Sequence, residues 1–115
     1  MEYDPEDDYP DLVRIAAEKV AADPAVHRAM VLGATGQGEA MACNRFPGVR
    51  AAVYYGGTTD IITLSREHND ANVLSLGAAF LNHDEVKGAI KLWLDTPFSN
   101  AERHVRRIAK IDNGQ

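Results

Sequence analysis

The sequence lacks several features that would point to particular classes of protein. Its 115 residues include one cysteine, Cys43, which excludes an internal disulfide and suits a reducing compartment. We identify no signal-peptide pattern in these residues, and no apolar run is long enough to cross a bilayer. The net charge of -5 disfavours nucleic acid as a partner. We therefore expect a cytoplasmic protein with no membrane or nucleic-acid partner.

The composition is that of one small globular domain. Hydrophobic residues make up 45% of the chain and charged residues 25%, which are ordinary shares. Residues 1–8 are rich in acidic side chains and contain Pro5, so we predict a loosely held lead-in there. Residues 9–115 then form a single α/β domain.

Helical and strand patterns alternate along this domain. The predicted elements are a helix from Pro10 to about Ala22, a strand from His27 to Leu32, a short helix to about Asn44, a strand from Val49 to Tyr55, a helix from Thr58 or Thr59 to about Glu67, a strand from Asn72 to Leu76, a helix from Glu85 to Leu94 and a last helix to about Ile111. This alternation predicts a parallel sheet with right-handed crossovers. Ligands of such sheets bind beyond the carboxyl ends of the strands.

Two finer predictions concern the last two helices. Ser99 and Glu102 have the spacing of a capping box at the start of the last helix. The helix before it should turn its apolar side inward, and the large aromatic side chains should lie in the core or at an interface. The inward residues would be Val86, Ala89, Ile90, Trp93 and Leu94, and the aromatic ones Trp93, Phe80 and Phe98.

The most informative segment is the glycine loop, Gly33–Glu39, with the sequence GATGQGE between an apolar strand and a helix. Its backbone N–H groups would converge beside a helix N-terminus, where an anion or a developing oxyanion is stabilised. Glu39 would then be a general base for proton abstraction next to a carbonyl. The alternative for Glu39 is simple stabilisation of the helix end, worth about 0.3–1 kcal/mol.

The same loop leaves a nucleotide-binding module open as a further hypothesis. It matches neither the dinucleotide pattern Gly-x-Gly-x-x-Gly nor a P-loop. Cys43 falls on an apolar helix face, which favours a buried small residue over a nucleophile. No two histidines have metal-binding helical spacing with a carboxylate partner, so we predict no metal site.

A second polar group lies later in the chain. His68 precedes a buried strand and can exchange a proton near neutral pH, or it can be an ordinary capping or surface histidine, as we expect for His27 and His83. Arg103 and Arg107 are four residues apart, so they share one helix face. That face suits a phosphate, or it is a solvated basic helix end.

Together these segments resemble the type B ribose-5-phosphate isomerases, which share a family with galactose-6-phosphate isomerase. The resemblance is carried by Asp8–Asp11, the glycine loop, Asn44–Ala52, Ser65–Leu76, Thr96–Phe98 and Arg103–Arg107. It implies a three-layer Rossmann-like sheet with helices on both faces, here with about three strands and a C-terminal helix. It also implies a homodimer, with no metal or organic cofactor.

The resemblance further implies aldose–ketose isomerisation of a sugar phosphate through a cis-enediolate. Ribose 5-phosphate to ribulose 5-phosphate, a step of the pentose phosphate pathway, is the default reaction, and a six-carbon aldose phosphate is an alternative. The implied roles are proton transfer by Glu39, enediolate binding by Thr35 and the amides of Gly36, Gln37 and Gly38, ring opening by His68, sugar binding by Asn69 and phosphate binding by Arg103 and Arg107.

The chain departs from the family pattern in two places. The family begins with a strand-helix-strand unit that carries an Asp-His pair, and this chain starts after that unit. Ala79 follows Leu76-Gly77-Ala78 where the family usually has a phosphate-binding arginine. We expect the strand His27–Leu32 to form an open sheet edge, either covered by another chain or belonging to a longer protein. An inactive or truncated member, acting as a sugar-phosphate-binding or partner subunit, is therefore the alternative.

Overall fold

The computed structural model describes residues 6–114, so the first five residues of the predicted lead-in and Gln115 lie outside it. The elements are α1 (Tyr9–Ala22), β1 (Ala29–Gly33), α2 (Gln37–Cys43), β2 (Ala51–Tyr54), α3 (Asp60–Glu67), β3 (Val73–Gly77), a 3-10 turn (Ala78–Phe80), α4 (His83–Asp95) and α5 (Glu102–Asp112). The predicted order of elements is confirmed. No helix within the described range has the length and apolarity that spanning a bilayer requires.

The three strands form one parallel sheet in the order β1-β3-β2. Ala29 pairs with Val73 and Gly33 with Gly77, while β2 lies on the other side of β3. Every residue of the central strand is buried, as expected for a parallel strand covered on both faces. The carboxyl ends of all three strands meet at one edge, where the glycine loop begins.

Two apolar clusters fill the space between the sheet and its helices. One lies under α1 and α2, and the other under α3 and α4. Successive side chains of β3 point to opposite faces of the sheet. Val73 belongs to the first cluster, and Leu74 and Leu76 belong to the second. The sheet therefore has helices on both faces, which confirms the predicted fold class.

The outer strand β1 is less well covered than β3. Its pairing within residues 6–114 is to β3 alone, and Met30 and Leu32 are 41% and 55% exposed. A groove of about 420 Å³ runs beside Leu32 and is lined also by Leu81 and Val86. The open edge expected from the sequence is therefore present, with apolar side chains beside it.

The predicted capping box at the start of α5 is wrong. α5 begins at Glu102 without a side-chain cap, because the Ser99 hydroxyl instead donates to the carbonyl of Glu67, 2.7 Å away. A capping box is formed at α4, where the Asn82 side chain accepts from the Glu85 N–H at 2.8 Å and the Glu85 carboxylate accepts from the Asn82 N–H at 3.0 Å. Ser99–Glu102 and Asn82–Glu85 have the same capping-box spacing, but the tertiary contact of Ser99 with Glu67 prevents the box at α5.

One prediction of burial also fails, since Leu94 is 47% exposed. Phe80, predicted in the core or at an interface, is 60% exposed, so it is not a core residue and the interface alternative stays a prediction. α4 packs through Ala89 and Trp93, one turn apart, so the next residue points about 100° away from the core. Phe80 lies outside both clusters and contacts the exposed ring of Tyr55 at a centroid distance of 5.8 Å. The prediction for Trp93 is confirmed, since it is fully buried.

Candidate active site

The glycine loop lies directly over the carboxyl end of β3. The Ser75 hydroxyl donates to the carbonyl of Gly36 at 2.6 Å, and the Ala79 N–H donates to the carbonyl of Ala34 at 3.0 Å. Gly36 has a φ of 76°, and a Cβ there would come within 3.0 Å of the Leu76 carbonyl carbon. Only glycine satisfies both the left-handed backbone and this close approach.

Glu39 is held in the first turn of α2 with its side chain only 8% exposed. Its carboxylate lies against the α-carbon of Gly33, so that a Cβ added to Gly33 would fall within the carboxyl group. The absence of a side chain at Gly33 therefore creates the space that Glu39 occupies. The sequence indicated Gly33 as the end of a strand but did not show this role.

The remaining loop residues present polar groups around Glu39. The Thr35 hydroxyl accepts from the Gln37 N–H at 3.2 Å, which fixes its position. The N–H groups of Gly38 and Glu39 lie in the first helical turn, where no intrahelical acceptor exists. The Tyr9 hydroxyl contacts Gly38, since a Cβ on that glycine would overlap it. Sequence reasoning did not single out Tyr9, whose only signal was its place in the Asp8–Asp11 segment.

Cys43 lies one helical turn after Glu39 and is fully buried. Burial, and next the negative charge of Glu39, raise the pKa of the Cys43 thiol. The thiol therefore stays protonated near neutral pH and is a poor nucleophile. This confirms the prediction that Cys43 is a buried small residue.

His68 directly follows α3 and stacks on a second histidine that the sequence analysis did not select. The rings of His68 and His104 are 4.3 Å apart at an angle of 19°. His104 is 7% exposed, and its Nε2 has no hydrogen-bond partner among the described residues. Burial, followed by the positive charges of His68, Arg103 and Arg107, lowers the pKa of His104. Its only signal in the sequence was its position beside Arg103.

The other predicted binding residues surround this histidine pair. Arg103 and Arg107 are exposed on α5 on either side of His104 along the chain, and Asn69 is exposed directly after His68. Three or more His, Cys, Asp or Glu side chains placed to hold a metal ion do not occur within residues 6–114. The group offers two guanidinium groups, an amide and an imidazole, which suit a phosphate and sugar hydroxyls.

The two groups lie at opposite ends of the sheet. Glu39 follows β1 at the carboxyl end, where Gly33 pairs with Gly77. The His68–Asn69 segment precedes β3, and so lies at the amino end, about 13 Å away along the strand. A single chain therefore does not bring the glycine loop and the His68–Asn69 segment to one pocket wall, because a segment that precedes a parallel strand lies at the opposite end from a loop that follows one.

Comparison with known proteins relates this arrangement to a family. The sequence profile of the family described as Ribose/Galactose Isomerase matches residues 1–111. The chain belongs to this family. A ribose-5-phosphate isomerase B from Mycobacterium tuberculosis is 38% identical over 108 residues, which are 94% of this chain and 65% of the relative. The chain thus spans about two thirds of the length of the mycobacterial family members.

Solved structures of the family have the same fold. Ribose-5-phosphate isomerase B from Mycoplasma genitalium, determined with bound ribulose 5-phosphate, superposes with a TM-score of 0.90 at 34% identity, covering 98% of this chain and 72% of the other. The type B enzyme from Trypanosoma cruzi gives a TM-score of 0.86 at 39% identity, covering 93% and 69%. The resemblance inferred from the sequence segments is confirmed.

Proposed function

We propose that the chain isomerises a sugar phosphate, ribose 5-phosphate to ribulose 5-phosphate, as a homodimer. Its family, and the ribulose 5-phosphate bound by the M. genitalium relative, support this reaction class. The observation that carries the proposal is the buried Glu39 carboxylate seated on Gly33 beside the glycine loop. The buried, unpaired thiol of Cys43 agrees with a reducing cytoplasmic location.

The loop supplies the groups that proton transfer next to a carbonyl needs. Glu39 removes the C2 proton of the open-chain aldose and returns it to C1, while a proton moves from O2 to O1. In the cis-enediolate formed between these steps, negative charge develops on the oxygens. The Thr35 hydroxyl and the N–H groups of Gly36 and Gly38 stabilise that charge as fixed donors, and the Gln37 N–H, which donates to the Thr35 hydroxyl, orients that hydroxyl. No metal or organic cofactor is needed for this transfer.

The second group holds the rest of the substrate. His68 assists ring opening, Asn69 binds sugar hydroxyls, and Arg103 and Arg107 bind the phosphate. Because one chain keeps this group at the far end of its sheet, a complete site requires a second copy. A twofold axis would place the glycine loop of one copy against the His68–Asn69 segment of its partner.

The first test compares turnover of ribose 5-phosphate by the wild-type chain and by Glu39→Gln, which keeps the shape of the side chain but cannot accept the proton. We expect the variant to lose about 10²- to 10⁴-fold in kcat. Circular dichroism should show an unchanged fold. Wild-type turnover in this variant would exclude Glu39 as the base.

A mixing experiment tests whether two copies share the site. Glu39→Gln and His68→Ala chains, each inactive alone, should regain about a quarter of wild-type activity after unfolding and refolding together, since half of the random dimers hold one intact site. Separate sites within each copy would give no recovery.

One observation favours a second candidate, a sugar-phosphate-binding subunit without turnover. Ala79, where the family usually has an arginine, is exposed beside the glycine loop, to which its N–H is bonded. This function predicts a rise in melting temperature with ribose 5-phosphate but no ribulose 5-phosphate. Allose 6-phosphate and galactose 6-phosphate in the same assays would show whether a six-carbon substrate is preferred.

A further inference from the structure

Arg50 connects the segment that follows His68 to the last helix. Its Nε donates to the carbonyl of Asn69 at 3.0 Å and its Nη2 to that of Asp70 at 3.1 Å. Its Nη1 binds the Asp112 carboxylate at 2.7 Å and also lies 3.4 Å from the Gly48 carbonyl. The side chain is only 12% exposed. The guanidinium group is thus used to hold three separate segments together.

These contacts attach α5 to the same turn at both of its ends. His104, in the first turn of α5, stacks on His68. Asp112, the last residue of the helix, binds Arg50, which in turn holds Asn69. The helix is about 15 Å long, so the two attachments fix its direction as well as its position.

We propose that Arg50 is a positioning residue that sets the distance between Asn69 and the phosphate-binding arginines of α5. The inference rests on the proposed function, in which Asn69 binds the sugar while Arg103 and Arg107 bind the phosphate of the same molecule. One substrate can satisfy both only if turn and helix keep a fixed spacing. The donors of Arg50 are directed at protein acceptors, so we assign it a positioning role and no direct role in binding.

The chemistry of the contact requires arginine. The acceptors lie in different directions around a planar group, and a guanidinium has five donors in a fixed fork. A lysine at this position would keep the charge but reach fewer acceptors. Removing the carboxylate of Asp112 releases only the helix end, because the bonds from Arg50 to Asn69 and Asp70 remain.

The experiment measures KM and kcat for ribose 5-phosphate, and Kd for inorganic phosphate by calorimetry. Asp112→Asn should raise KM for ribose 5-phosphate by roughly 3- to 10-fold with kcat changed less than about twofold, because the lost contact affects binding and not the chemical step. Kd for inorganic phosphate, which has no sugar to reach Asn69, should change less than about twofold. Arg50→Lys should raise KM more than Asp112→Asn does. Asp112→Glu, which keeps the carboxylate, should keep most of the wild-type affinity for ribose 5-phosphate. Asp95→Asn, which breaks the 2.8 Å pair with Lys91 on α4, is the matched control and should change nothing.

Arg103→Ala separates this inference from the proposed function. A higher KM for ribose 5-phosphate in Asp112→Asn and Arg50→Lys, but not in Asp95→Asn, with weaker binding of inorganic phosphate in Arg103→Ala alone, supports the positioning role. If Arg103→Ala weakens binding of inorganic phosphate while Asp112→Asn leaves KM for ribose 5-phosphate unchanged, the positioning role is overturned and the phosphate site stands. If Arg103→Ala has no effect, the phosphate site itself is wrong and the inference falls with it.

Discussion

The two ends of the sheet build their polar groups by different means. At the carboxyl end, seven consecutive residues form the site, and small residues let Glu39 and the loop backbone approach closely. At the amino end, side chains distant in sequence hold the turn, as Arg50 and Asp112 do across 62 residues. The first end therefore takes its candidate groups from one short segment, whereas the second needs side chains that only the completed fold brings together.

The amino end also contains a strained residue. Asp70 directly follows Asn69 and has a φ of 45°, a left-handed conformation that is costly for a residue with a Cβ. Its carboxylate binds Arg66 at 2.8 Å, and Arg66, only 2% exposed, also donates to the carbonyls of Ala71 at 2.7 Å and Thr96 at 3.0 Å. This buried cation therefore compensates for the backbone strain beside the candidate sugar-binding turn.

The largest expected effect is at the carboxyl end. Gly33→Ala places a methyl group where the Glu39 carboxylate lies, so the proposed base is displaced and kcat should fall about 10²-fold. Phosphate binding should hardly change. Gly88→Ala, on α4 with open space around it, is the control and should keep full activity. An active Gly33→Ala enzyme would contradict the seating of Glu39 on Gly33.

The next effect concerns stability at the amino end. Asp70→Ala removes a charged hydrogen bond to Arg66 and keeps the left-handed strain, so the free energy of unfolding should fall by about 2 kcal/mol. Asp70→Gly loses the same hydrogen bond, but glycine adopts the left-handed conformation without strain. This variant should therefore recover about 1 kcal/mol of the loss. Urea denaturation measures both. Equal losses in the two variants would show that strain at Asp70 is unimportant.

A smaller effect is expected from adding charge beside the glycine loop. Ala79→Arg restores the residue that the family usually has there, and should tighten phosphate binding about tenfold through a charge-assisted hydrogen bond. Calorimetry with inorganic phosphate provides the measurement. Ala22→Arg adds the same charge at an exposed end of α1 and should have no effect. Equal phosphate affinities in the wild-type chain, Ala79→Arg and Ala22→Arg would place the phosphate away from Ala79.

The smallest effect is the pH dependence that His104 contributes. Its pKa is lowered in the folded state from the ordinary 6.5, so the unfolded chain takes up the proton first as the pH falls. Stability should therefore be complete above about pH 6.5 and decline below it. His104→Phe, which keeps a ring against His68, should flatten this decline in urea titrations at pH 7.5, 6.5 and 5.5. His83→Gln should keep the wild-type slope; an unchanged slope in His104→Phe would assign the decline to other groups.

Local sequence patterns predicted the elements well because they report local physics. The apolar periodicity of α1 and the glycines that end β1 and β3 predicted the ends of these elements to within a residue or two. The capping box at Ser99 and the inward position of Leu94 failed. In both cases a tertiary contact, Ser99 with Glu67 and α4 packing through Trp93, decided the outcome.

The sequence by itself determined the parallel α/β fold and the glycine loop, and it made Glu39 a candidate base, since all of these follow from neighbours along the chain. Only the tertiary structure showed that Gly33 makes room for Glu39, that His104 stacks on His68 and that Arg50 holds Asp112. It also placed the two candidate groups at opposite ends of the sheet. The physical reason is that strand direction and contacts between distant side chains decide which residues meet. The spacing of residues along the chain predicts neither of them.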